Sequence, residues 1–94
     1  MAQSFKADSS SGVATVRQIP KSGPFVQVSL LNASGSGTVT LTVLPGSKID
    51  AFEEVTDGTI DVGSPSTVTI TGWVSAVKAT SSNSGDTFTL EVVA

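Results

Sequence analysis

The chain contains no histidine and no cysteine, and charged residues fill only 14% of its 94 positions. The missing histidine removes the side chain that titrates nearest neutral pH and the commonest metal ligand. A serine nucleophile then lacks its usual base. A Ser–Lys pair through Lys48 or Lys78 has no spacing to support it. The missing cysteine removes disulfides and thiolate sites and leaves the redox compartment unread. No phosphate-loop or dinucleotide fingerprint is present. The stretch Ser34-Gly35-Ser36-Gly37 is glycine-rich but lacks the lysine and the strand-to-helix setting that phosphate binding needs. Neither catalysis nor a cofactor nor a metal is expected.

Positive charge is also scarce. Lys6, Arg17, Lys21, Lys48 and Lys78 are scattered and the net charge is −3, so nucleic acid is not an expected partner. No apolar run approaches the ~18 residues of a membrane-spanning helix, so no membrane partner is expected. Residues 1–12 lack the apolar core of a signal peptide, so no leader is expected either.

What remains is apolar enough to fold: 38% hydrophobic, with mean hydropathy +0.24. The length suits one domain rather than two. Threonine, serine and glycine take the polar positions that lysine and glutamate often hold. Such a surface could pack against copies of itself or another protein, since few charges need desolvation. It also suits a plain β-rich domain.

Alternation of apolar and polar residues is the main local signal. Residues 1–12 are polar, end in Ser9-Ser10-Ser11-Gly12, and read as a flexible arm whose one large apolar anchor is Phe5. Phe5 either tucks into its own domain or grips a neighbour. If the segment is an arm, the domain at 13–94 should fold without it. Strands are expected at 13–19, 25–31 and 38–44. In the last, Val39, Leu41 and Val43 alternate with a ladder of Thr38, Thr40 and Thr42. Residues 48–56 suit a strand or a short helical turn, and strand is favoured because Asp57-Gly58 follows and an apolar stretch resumes. Asp57-Gly58, followed by 59–62, reads as a two-residue hairpin.

The last third reads as two long strands, 66–80 and 87–93, joined in a hairpin by the polar turn 81–86. Val68, Ile70, Val74 and Ala76 fall on one parity of the first; Phe88, Leu90 and Val92 share one parity of the second. About seven short strands with Gly/Pro/Ser turns and no convincing helix predict an all-β fold. The expected form is an antiparallel β-sandwich, with a small β-barrel as the alternative. Few candidate edge strands carry charges that block pairing, so self-association is open.

Two features need weighing as sites. The carboxylates Asp50, Glu53, Glu54, Asp57 and Asp61 could in principle ligate Ca²⁺, but their spacing does not match an EF-hand loop. They read as the wet face of a hairpin. Trp73, the only tryptophan, is expected mid-strand beside Gly72. It is either core or an exposed platform for a sugar ring or a partner. Asn32-Ala33-Ser34 matches the glycosylation pattern by accident if no leader exists.

The segment TITGWVSAVKATSSNSGDTFTLEVVA, 69–94, resembles the closing part of small structural proteins of tailed bacteriophages. Those pair an aromatic residue in a strand with a short Val-x-Ala-Val-x-Ala strand, a Ser/Gly/Asp turn and a Thr-rich last strand. Here these are Trp73, 74–79, 81–86 and 87–93. The resemblance implies a virion component, foremost a capsid decoration or cement subunit, with a head fibre or tail subunit next. It implies a homo-oligomer on the major capsid protein or other virion proteins, located on the capsid surface. No functional residue carries over. Phe5 and Trp73 are the candidate partner-binding residues from the chain itself. The runner-up is an adhesion or carbohydrate-binding β-sandwich.

Overall fold

A computed structural model describes residues 3–21, 23–46 and 51–94. Among these described residues are eight strands: β1 Ser4–Asp8, β2 Val13–Arg17, β3 Phe25–Ser34, β4 Thr38–Pro45, β5 Glu53–Asp61, β6 Val68–Thr71, β7 Val74–Ser81 and β8 Thr87–Val93. They form two four-stranded antiparallel sheets. The first has the order β1-β8-β3-β6 and the second β2-β7-β4-β5. The sheets pack face to face as a sandwich and do not close into a barrel. Among the described residues no helix is long and apolar enough to cross a membrane.

The core is the sum of the inward parities. Val28, Leu30, Leu90 and Val92 of the first sheet meet Val39, Leu41, Val77 and Ala79 of the second. The alternation in β4 is realised as read: Val39, Leu41 and Val43 are buried, while Thr38 and Thr40 face solvent.

Four expectations are corrected. The segment expected as an arm carries β1, which pairs with β8 from Ser4↔Val93 to Asp8↔Thr89. Its alternate side chains Phe5 and Ala7 pack against the core, so Phe5 is a structural residue of its own domain. The exposed edge of β8 is the reason: its unpaired backbone groups need partners, and residues 4–8 supply them.

The supposed long strand 66–80 is two strands in opposite sheets. Gly72 adopts φ +87, and its N–H donates to the Pro24 carbonyl at 2.8 Å, so the chain turns from β6 to β7 there. The expected apolar row is therefore split. Val68 and Ile70 line the first sheet and Val74 the second. Ser75 is an extra residue between the pairs Leu44↔Ala76 and Pro45↔Val74. This bulge turns Ala76 out of the core, where it is buried beside Leu44 on the outer side of the second sheet.

Because β7 and β8 also lie in opposite sheets, the turn at 81–86 is a crossover rather than a hairpin loop. Asp57-Gly58 makes no hairpin either. Residues 53–61 are one strand along β4, and the register jumps from Thr40↔Thr59 to Thr42↔Glu54. Asp57, at φ 56, and buried Gly58 shape the resulting bulge. Aspartate and glycine tolerate the left-handed region, which serves a bulge as well as a turn.

Candidate functional site

Three regions could do something. The first is the corner between β6 and β7. Trp73 is not core: it is 41% exposed, and among the described residues it and Phe25, at 47%, are the large exposed apolar side chains. It is nevertheless held. Its Nε1–H donates to the Ile19 carbonyl at 3.3 Å, and its six-membered ring lies on the backbone of Gly46. The Lys21 ammonium sits 5.8 Å from the ring centroid. A fixed, half-exposed indole loses little side-chain entropy on meeting a partner.

Phe5 and Trp73 are not brought together as one partner-binding site. Phe5 packs against the core, while Trp73 sits on the corner. Phe25, in register with Thr71 at the start of β3, is the exposed aromatic that sequence reading left among the strand residues.

The second region is the outer face of the second sheet. Register places Thr80, Thr40 and Thr59 in one row across β7, β4 and β5, all exposed. The next row runs Thr15, Lys78, Thr42, Glu54. Phe52 lies against this face, with Arg17 5.6 Å and Lys78 5.9 Å from its ring centroid. The outer face of the first sheet is also polar. There the Ser4 hydroxyl donates to Glu91 at 2.9 Å, the Thr89 hydroxyl donates to Asp8 at 2.8 Å, and Lys6 pairs with Glu91 at 3.9 Å. A shallow depression of about 200 Å³ at its end is lined by Asp8, Ser9, Asn32, Thr87, Phe88 and Thr89.

The third region is the crossover at 81–86, where Asp86 is buried. Its Oδ2 accepts from the Gly37 N–H at 2.9 Å and from the Ser81 hydroxyl at 2.7 Å. Side chains at Gly35 or Gly37 would collide with this carboxylate. The glycine-rich stretch thus makes room for Asp86. Its signal was two glycines flanking one residue, opposite an acid far along the chain.

Of the acidic group, Glu53, Glu54, Asp57 and Asp61 lie exposed along β5, while Asp50 falls outside the described residues. Among the described residues no three such ligands gather to hold a metal ion. Compared with family models and with curated protein sequences, the chain matches none.

Proposed function

We propose that the chain is a non-enzymatic structural protein of a bacteriophage virion, a decoration subunit that binds the capsid surface and stabilises the assembled head. The outer face of the second sheet carries this reading. Its row of Thr80, Thr40 and Thr59 is exposed and uncharged on a rigid sheet. Interface cores are depleted of charge, and such a face can be covered at small desolvation cost. A subunit that binds only assembled shells stabilises them by mass action. The resemblance of residues 69–94 to phage structural proteins points the same way. The fixed indole of Trp73 supplies an anchor of the type that dominates protein interfaces.

Cosedimentation tests it. Purified protein is mixed with bacteriophage heads prepared without it. Protein pelleting with the heads, and heads that rupture at higher temperature, are expected. Protein left in the supernatant overturns the proposal.

The exposure of Trp73 also favours the second reading, an adhesion or carbohydrate-binding module in which the indole stacks on a sugar ring. Titration with sugars followed by tryptophan fluorescence separates the two. Saturable change supports this reading; an unmoved spectrum removes it.

A further inference from the structure

We propose that two copies of this chain pair along β1, antiparallel about a two-fold axis, with Lys6 of each copy opposite Asp8 of the other. The sheet edges are β1 and β6 in the first sheet and β2 and β5 in the second. β6 is the shortest of these strands and has no charged side chain. β5 is interrupted by its bulge, and its charged residues are all acids. On β2 the charge is Arg17, and the N–H and carbonyl of Val13 are both bonded to Ser10. β1 has no proline and no register shift, and of these edges it alone carries both signs of charge, at Lys6 and Asp8.

The ladder with β8 shows which backbone groups of β1 are open. Gln3 exchanges bonds with Ala94 in both directions, at 2.8 and 2.9 Å, and the Ser9 N–H donates to the Phe88 carbonyl at 2.9 Å. Bonded residues alternate along an antiparallel strand, so Phe5 and Ala7 also face β8. Ser4, Lys6 and Asp8 then point their N–H and C=O groups off the edge of the sheet. An extended strand laid there gains main-chain bonds.

β1 of a second copy fits, and charge selects the register. An axis on Lys6 or on Asp8 sets that residue against itself, and like charges directly opposite are destabilising. An axis on Phe5 pairs Lys6 with Ser4 and leaves Asp8 unmatched. An axis on Ala7 sets Lys6 against Asp8 on both sides. Each is a bonded pair that exchanges N–H···O bonds in both directions and adds an opposite-charge contact. The bonds these side chains already make do not stand in the way. Lys6 is 56% exposed and reaches Glu91 at 3.9 Å, and its three donors allow a second acceptor. The Thr89 hydroxyl uses Oδ1 of Asp8 and leaves Oδ2. The contact is isologous, so it closes at two copies and joins their first sheets into one.

The contact does not rest on the capsid reading, and its test needs no capsid. Light scattering and amide hydrogen exchange are run on the full chain over a range of concentrations. The mass should rise from 9.5 kDa toward twice that value, and exchange at the Lys6 and Asp8 amides should slow with it. Lys6→Asp sets acid against acid, and Asp8→Lys sets lysine against lysine. Each variant alone should stay monomeric where the parent is dimeric. Mixing the two should restore the dimer, and so should both changes in one chain. The amide measurement on the parent stands even if a variant fails to fold. A parent that is monomeric throughout overturns the proposal. So does a dimer whose Lys6 and Asp8 amides exchange at the monomer's rate, or a mixture of folded variants that stays monomeric.

Discussion

The indole of Trp73 lies directly on the backbone of Gly46, and a methyl group at position 46 would occupy the space of its six-membered ring. This contact, with the bond to the Ile19 carbonyl, fixes an aromatic side chain that is still open to solvent. Gly46→Ala should push the ring off its seat. Loss of about 1–3 kcal/mol of stability is expected from the overpacking. Tryptophan emission should move to longer wavelength. Unchanged emission and melting temperature would show that the ring does not need that seat.

Asp86 joins the 81–86 crossover to the chain around Gly37. Asp86→Ala strips the acceptor from the Gly37 N–H and the Ser81 hydroxyl. A cost of about 1–3 kcal/mol is expected, measured by urea denaturation. Hydrogen exchange at Gly37 should quicken in the same variant. Protection there equal to the parent's would mean another acceptor takes over.

Removing residues 1–8 takes away β1 and uncovers the edge of β8 beside buried Leu90 and Val92. The shortened chain should unfold at lower denaturant or aggregate. Phe5→Ala, at a half-buried position, should cost less than the ~3–5 kcal/mol of a fully buried phenylalanine. A truncated chain with an unaltered urea midpoint would return this segment to the status of a dispensable arm.

Thr40 sits at the centre of the exposed threonine row. Thr40→Lys should leave stability within about 0.5 kcal/mol, as surface changes usually do. On the decoration reading it should release the protein from heads in the cosedimentation assay. Binding by the lysine variant equal to the parent's would move the capsid contact off this face.

How much of this was legible follows from the range of each signal. The period-2 pattern of Val39, Leu41 and Val43 depends only on neighbours in the chain, and it located β4 and its buried face. Likewise Phe88, Leu90 and Val92 located β8. Parity cannot name the sheet to which a strand belongs, because both sheets bury one face against the same core. That is why the break at Gly72 and Trp73 read as the middle of one strand. Asp57-Gly58 shows another limit: a pair suited to positive φ marks a reversal or a bulge, and β4 alongside decides which. The seat of Trp73 on Gly46 and the bonds of Asp86 join distant parts of the chain, and no local pattern announces them. The resemblance over 69–94 bears only on the proposed context and locates none of these contacts.

The order in which the chain visits its sheets bears on how it folds. Of the steps from β1 to β8, only β4 to β5 stays within one sheet; every other step crosses between them. Almost no strand can find its partner next door in the chain, so early hairpins have little to hold them. Loop-closure entropy must be met before most ladders form, and domains of this kind fold on the order of milliseconds to seconds. Stopped-flow fluorescence of Trp73 would time the process; a microsecond phase carrying the whole change would contradict it. Until β1 docks, β8 stays open along one edge, and a crowded solution of half-folded chains would meet there first.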